Sequence, residues 1–308
     1  MKEFEKAYDL ILKSNNIYIV GHVNPDGDSL GSCFAMYFAL KKINKNVNVV
    51  VKNYSKSFEF LPNINECVEY VGDDCDLLIT LDCSDITRVD TDKVNNKILM
   101  IDHHKKLNSF GDVCIIDENA PATCEIVYKF LEYMNIKIDV TIGTYIYLGL
   151  MTDTGNFSYS STTKFSYIIA SNLIDIGVDF SHICRMVNIV SEGKLKLTAY
   201  VIDNMEIYDG GKIRYSFVDN KTLKSFNVED IDAEGMANNL RNVYGTEVAV
   251  YVRENEDGSF KFSLRSGSKV DVSIIAHKFN GGGHKRAAGF NLNILDKDKV
   301  IVEIRKLL

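Results

Sequence analysis

The chain has 308 residues, 46% of them hydrophobic and 25% charged, with 3 Pro and no Trp. That is the make-up of a globular protein with room for two cores, and it excludes a disordered, collagenous or disulfide-stapled chain. Thirty-five Lys and Arg against 42 Asp and Glu leave a net charge of −7, which argues against a protein that coats duplex DNA. No apolar run approaches the ~20 residues that cross a bilayer. The start, MKEFEKAYDL, carries charges where a signal peptide needs an apolar core, so a cytoplasmic protein without membrane association is expected. Seven Cys, none in a CxxC spacing, read as reduced and packed thiols.

In chain order, Ile17–Val20 predicts a strand that runs into His22, Asp26 and Asp28, followed by a helix from about Ser29 to Lys42. Val47–Val51, Leu77–Leu81 and Ile98–Ile101 are further aliphatic strands. Asp82 follows the third of these four strands, and Asp102, His103 and His104 follow the fourth. Pro121–Met134 predicts a helix with proline in its first turn. The apolar run Thr141–Thr152 has the length of a helix and leads to Asp153. This alternation predicts an α/β domain over residues 1–185, a parallel sheet with helices on both faces.

Residues 186–205 predict a helical connector. From 206 to 308 a smaller mixed α/β domain is expected. Its strands are Lys212–Val218, Glu247–Arg253, Phe260–Leu264 and Ala288–Asn293, and its helices Asp230–Val243, Val270–Phe279 and Lys297–Leu308. Charge is unevenly spread. Glu66 to Asp92 holds nine acids and one Arg, whereas residues 259–290 hold six Lys or Arg against one Asp, a local +5.

Taken singly, the polar residues at the strand ends have ordinary readings. An Asp after a strand is usually a turn or N-cap residue, and Asp28 before Ser-Leu-Gly could be one. Paired histidines are commonly loop residues, and PDGD is an ordinary turn. The joint pattern is different, because open α/β sheets bind ligands beyond the carboxyl ends of their strands. Four Asp converging on one pocket would repel intolerably without cations. Two divalent ions with one carboxylate shared between them relieve that repulsion, and such a pair serves in-line attack on phosphorus. Oxygen-rich donors with a few imidazoles suit Mn²⁺ or Mg²⁺, and less selectively Fe²⁺, Co²⁺ or Zn²⁺. Hydrolysis of a phosphate ester is therefore the leading reaction class.

Gly281, Gly282, Gly283 and His284 read in two ways. They form either a glycine-rich turn between helix and strand, or a backbone surface bare of Cβ atoms that a base or phosphate approaches. Arg265 and Ser266 at a strand end, with Lys285 and Arg286 directly after His284, favour the second reading. His182 and His277 fall within apolar helical patterns and read as structural.

HVNPDGDSLGS, LDCSD, IDHH and MTDTGNF, in that order, resemble the four motifs of the DHH phosphoesterase superfamily. SLRS and GGGHKRAAGF resemble the DHH-associated C-terminal domain, so the resemblance spans residues 22 to 290. Within the superfamily the chain most resembles the nanoRNase/pAp-phosphatase branch. The resemblance implies two divalent cations, Mn²⁺ foremost with Mg²⁺ or Co²⁺ as options. His22 and Asp26 would hold one, Asp28, His103 and Asp153 the other, with Asp82 shared. His104 would face the scissile phosphate, and Asp102 would orient the histidine pair. Arg88 either supports that group or is a surface residue. Arg265, Ser266, Gly281, Gly282, Gly283 and His284 would bind the far end of the substrate.

The partners so implied are short single-stranded RNA, dinucleotides such as pApA, and 3′-phosphoadenosine 5′-phosphate (pAp), without duplex DNA and with a homodimer left open. A cyclic di-AMP phosphodiesterase, an inorganic pyrophosphatase and a non-catalytic nucleotide sensor stay as alternatives. SLRS and GGGH fit the pyrophosphatase poorly, and the intact ligand set weighs against the sensor.

Overall fold

The computed structural model of the chain describes residues 2–91, 97–104, 109–228, 232–267 and 269–308. They divide into two compact units, Met1–Ile189 and Val190–Leu308.

The first unit runs α1 (Lys2–Lys13), β1 (Asn16–Val20), α2 (Gly27–Lys42), β2 (Asn46–Val50), β3 (Leu77–Leu81), β4 (Lys97–Asp102), β5 (Val113–Ile116), α3 (Thr123–Tyr133), α4 (Val140–Asp153), α5 (Lys164–Asp175) and α6 (Phe180–Val187). Its five strands are all parallel, in the order β2-β1-β3-β4-β5. The strand β3, LLITL, is buried at every residue, because both faces of the sheet are covered. Buried residues of α1 to α5 cover one face, whereas on the other Tyr18, Val20, Leu78 and Ile98 pack against loop residues Val71, Cys75, Cys83 and Val89, so among the described residues the expectation of helices on both faces is corrected. The chain winds outward from β1 to β2 and then returns to β3, so the strand order reverses between β1 and β3. Ligands of open α/β sheets bind at such a reversal.

The helix α2 is buried on nearly every side and lies against α4. Glycine makes this close approach possible. A Cβ on Gly31 would stand 2.5 Å from the Tyr145 carbonyl oxygen, and one on Gly149 would stand 2.6 Å from Asp28 Oδ1. Phe34 and Tyr145 stack across the crossing at 4.9 Å. The elements absent from the sequence expectation are α1, β5, α5 and α6. The strand β5 has four residues and is mostly half-buried, which leaves little apolar signal to read.

The second unit comprises α7 (Glu192–Asp203), β6 (Glu206–Tyr208), β7 (Ile213–Val218), α8 (Asn220–Ser225), α9 (Met236–Arg241), β8 (Val248–Glu254), β9 (Phe260–Ser266), α10 (Val272–Lys278), β10 (Gly282–His284), β11 (Ala287–Leu292) and α11 (Lys297–Arg305). Its six strands lie in the order β10-β11-β9-β8-β7-β6, antiparallel except for β7 with β8. Alternate residues face opposite sides. Val250, Val252, Phe262 and Leu264 join Ile275 and Ile304 in one core, while Ala249 and Tyr251 join Leu240, Leu197 and Val201 in another.

The segment expected as a connector is thus largely a helix, α7, built into the second core. The expected helix Asp230–Val243 is observed as Met236–Arg241; residues 230 and 231 lie outside those described. Gly282–His284 is an edge strand paired with Ala287–Gly289, so the reading of these glycines as a simple turn is corrected. Among the described residues, no helix is long and apolar enough to cross a membrane.

Candidate metal centre

The acids and histidines of the first unit meet beyond β1, β3 and β4, at the reversal of strand order. His22 follows β1 and is buried. Its Nδ1 lies 2.8 Å from the Val23 carbonyl oxygen, and donation there leaves the Nε2 lone pair for a ligand. Nε2 is 3.6 Å from Asp82 Oδ2 and 3.9 Å from Asp26 Oδ1.

Asp26 is the N-cap of α2. Its Oδ1 accepts from the backbone N–H of Asp28 at 3.0 Å and of Ser29 at 3.1 Å. The sequence left Asp28 as either cap or ligand, and the structure gives it another task. Its two oxygens accept from the N–H groups of Thr123, at 2.6 Å, and Cys124, at 2.9 Å, at the start of α3. The α3 N-cap residue, Ala122, has no side chain to do this.

Asp82 stands just past β3 with φ of +57°, a left-handed conformation that Asp tolerates better than most residues. Its Oδ1 accepts from the Thr123 hydroxyl at 3.1 Å and lies 3.6 Å from His103 Nε2. Thr123 therefore touches both Asp28 and Asp82, and sequence reasoning missed it. Its role comes from tertiary contacts with Asp28 and Asp82, which local sequence does not show.

His103 Nδ1 is 3.2 Å from the Ala120 carbonyl oxygen. Its Nε2 is 3.2 Å from Asp153 Oδ2 and 3.9 Å from Asp28 Oδ2, yet this buried nitrogen has no hydrogen-bond partner. Asp153 is the last residue of α4. The Asp102 carboxylate holds His104 Nδ1 at 2.8 Å, and the His104 side chain is 42% exposed.

Three overlapping groups result among the described residues: His22 with Asp26 and Asp82, Asp28 with His103 and Asp153, and Asp82 with His103 and His104. Within each, the candidate ligand atoms lie inside 4.8 Å of one another. The electrostatics are those of a site built for positive charge. Burial, with repulsion from Asp82 and Asp153, pushes Asp28 well above the usual carboxylate range, and burial likewise raises Asp153. Burial opposes the charged His103 ring, but Asp153, Asp28 and Asp82 outweigh it and hold its pKa up at about 10.

The donor set fits a divalent cation pair. A buried imidazole nitrogen without a partner faces carboxylates from separate elements. The nearby thiols of Cys33 and Cys124 are pushed upward by burial and stay protonated, so they offer no thiolate.

The remaining candidates lie elsewhere. Arg88 is exposed, and its carbonyl accepts from Val23 N–H at 2.9 Å, which ties the His22 loop down. His182 packs edge-on against Phe60 at 5.5 Å. His277 is exposed on α10 and takes no part in the core expected for it. In the second unit, Arg265 lies on β9 between Ala249 and Ala287. Ser266 is only 1% exposed; its Oγ donates to the Lys285 carbonyl at 3.2 Å, so it braces the turn instead of facing solvent.

The three glycines divide. A Cβ on Gly281 would meet the Gly289 carbonyl at 2.2 Å, and one on Gly283 the Ala287 carbonyl at 2.5 Å, whereas one on Gly282 would meet nothing within 4 Å. Gly281 and Gly283 serve strand packing, and Gly282 is bare without any need of the fold. His284 beside it is exposed.

Carboxylates and imidazoles gathered at the reversal point of a parallel sheet, with family-level matches over both units, define a metal-dependent hydrolase of phosphate esters. Residues 16–151 match the family model for the DHH family N-terminal domain, and residues 210–308 match that for the DHHA1 domain. The chain belongs to the DHH family. It is 31% identical to the bifunctional oligoribonuclease and PAP phosphatase NrnA of Thermus thermophilus, over 92% of this chain and 86% of that protein. It is 29% identical to a probable bifunctional oligoribonuclease and PAP phosphatase NrnA of Streptococcus mutans, over 98% of this chain and 96% of that protein. The crystal structure of an exopolyphosphatase-related protein from Bacteroides fragilis superposes with a TM-score of 0.89 at 28% identity, covering 99% of this chain and 95% of that one.

Proposed function

We propose that the first unit holds two divalent cations, Mn²⁺ foremost, and that the protein hydrolyses short oligoribonucleotides to mononucleotides and pAp to AMP. The observation that carries this reading is the position of Asp82, whose Oδ2 lies 3.6 Å from His22 and whose Oδ1 lies 3.6 Å from His103. One carboxylate addressing two imidazoles from opposite oxygens is what a ligand shared between two cations needs. In this reading His22 and Asp26 hold one cation, Asp28, His103 and Asp153 hold the other, and Asp82 belongs to both.

When bound, such a pair supplies Lewis acidity to the phosphoryl oxygens. The chain's own residues do the rest. Backbone N–H groups of Thr123 and Cys124 fix Asp28 against rotation, and the Thr123 hydroxyl steadies Asp82. Asp102 orients His104, whose exposed ring stabilises developing charge or protonates the leaving oxygen.

Residues 206–308 bind the nucleotide in this reading. Arg265 meets a phosphate, Gly282 and His284 offer a bare edge with an imidazole beside it, and Ser266 acts by bracing the Lys285–Arg286 turn. A local +5 within a chain of −7 suits a few nucleotides in a cytoplasmic setting and not a long duplex. The relatives from Thermus thermophilus and Streptococcus mutans, named for oligoribonuclease and PAP phosphatase activity, support both reactions.

The test presents purified protein and Mn²⁺ with pAp, pApA, a short RNA, cyclic di-AMP and pyrophosphate in parallel. Mononucleotides from pApA and short RNA, with AMP from pAp, are expected to dominate. A preference for pyrophosphate or cyclic di-AMP, or no turnover of any, would overturn the reading.

A further inference from the structure

Tyr244 is 100% exposed, so its ring contributes nothing to the core. The loop that carries it, residues 242–245 between α9 and β8, is nevertheless tied at both ends. Asn242 N–H donates to the Asn238 carbonyl at 3.0 Å, and Thr246 N–H to the Val243 carbonyl at 3.1 Å. The Thr246 hydroxyl donates to the Leu240 carbonyl at 3.2 Å. Arg214, only 8% exposed, donates through Nη1 to the Gly211 carbonyl at 2.6 Å and to the Thr246 hydroxyl. Gly245 makes the left-handed turn, with φ of +83°. The loop is hydrogen-bonded at both ends, while the Tyr244 ring stands in solvent.

The same end of the sheet carries several guanidinium groups, and Glu247, which precedes β8 there, pairs with Lys269 at 3.8 Å. Arg214, Ala249, Arg265 and Ala287 form one cross-strand row on the face against which α9 packs. The helix α9 ends on Arg241, next to the Leu240 carbonyl that Thr246 engages. Among the described residues, no carboxylate pairs with Arg214, Arg241 or Arg265. Glu234 is committed to Lys261 at 2.7 Å and Arg253 at 3.9 Å. Burial presses the Arg265 pKa downward; the Arg241 charge adds to that, and Glu234 opposes it. An anion completes such an arrangement.

Resting on the function proposed above, we propose that Tyr244 and Arg241 form a nucleotide subsite, Tyr244 stacking on a base and Arg241 meeting the adjoining phosphate. Single-stranded nucleotides are recognised by this pairing of aromatic platform and guanidinium. The subsite lies beside Arg265, which the function reading already assigns to a phosphate. It therefore favours substrates that carry a base with an adjoining phosphate.

The experiment uses the full-length protein treated with EDTA and a dinucleotide carrying 2-aminopurine, whose fluorescence is read without interference because the chain has no Trp. Wild type and Tyr244→Phe should quench the probe on binding. Tyr244→Ala should lose the quenching plateau and raise the KM for pApA in Mn²⁺ by roughly 5- to 150-fold, the range of one lost base stack. Arg241→Gln should keep the plateau but shift the midpoint to higher protein concentration. Unchanged quenching and KM in Tyr244→Ala, with wild type active on pApA, would overturn the subsite alone. A wild type that neither binds nor cleaves dinucleotides would overturn the function reading and the subsite together.

Discussion

Asp102 holds His104 by a single carboxylate oxygen, which lies 2.8 Å from His104 Nδ1 and also accepts the N–H groups of His103 at 2.8 Å and His104 at 3.2 Å. One atom thus sets both the turn that carries the two histidines and the orientation of one ring. The Asp102 hydrogen bond is the largest influence on His104, and it raises the ring's pKa above the ordinary imidazole value. Donation of Nδ1–H to Asp102 turns Nε2 outward, where it can serve a leaving oxygen.

The two histidines should therefore separate on mutation. His103→Ala should lower cation content measured by elemental analysis. His104→Ala should keep the cations and lose about 10²- to 10⁴-fold in kcat. Equal cation loss in both variants would show that these roles are wrongly divided.

Cation binding should also be visible as stability. Asp28, Asp82 and Asp153 repel one another when no cation is present, and ligands that bind only the folded state stabilise it. At Mn²⁺ about a hundred times its Kd, the gain is ~2.7 kcal/mol, which corresponds to several degrees in Tm for a unit of this size. Melting curves of EDTA-treated protein with and without Mn²⁺ should differ by that much. Coincident curves would argue against a preformed site.

Gly281 and Gly282 should respond in opposite ways to alanine. A methyl group at 281 has to displace the Gly289 carbonyl and the Phe290 Cβ, so Gly281→Ala should cost ~1–3 kcal/mol in urea unfolding. A methyl group at 282 enters open space, so Gly282→Ala should leave stability within ~0.5 kcal/mol and yet raise the KM for pApA. An unchanged KM would remove Gly282 from the substrate surface.

What could be read in advance follows physical lines. The strands β1, β3 and β4 are aliphatic runs buried on both faces, and each ends on the acids and histidines that matter. Asp26 and Asp28 were harder, because a helix cap and a metal ligand both use a carboxylate oxygen. Only the tertiary contact with Thr123 and Cys124 distinguishes them. Ser266 looked available because the predicted strand ended at Leu264. The strand continues two residues further, to pair with Val248, and so buries it. Thr123 had no local signal at all, since its role arises where α3 begins relative to two other elements.

Away from the site, Glu66 gives a test of pH dependence. Asn63, Lys41 and Tyr37 hydrogen-bond its carboxylate and hold its pKa down at about 2, against an ordinary 4.5. A depressed carboxylate contributes stability that is complete above the unfolded pKa and fades as pH falls toward the folded one. The Glu66 side chain is 32% exposed, so solvent screening reduces the contribution to on the order of 1 kcal/mol. Urea midpoints of wild type and Glu66→Gln should differ above about pH 4.5 and converge toward pH 2. A gap independent of pH would contradict this.

Turnover of pApA by Asp82→Ala in saturating Mn²⁺ decides whether one carboxylate serves both cations. Asp82 lies between His22 and His103 and is the residue shared by both proposed cation sites. Its loss leaves each cation short of a ligand and their mutual repulsion unrelieved. Mononucleotide release should fall to background on pApA, pAp and short RNA alike, in a variant whose circular dichroism matches wild type. Near-normal turnover by that folded variant would contradict the shared role.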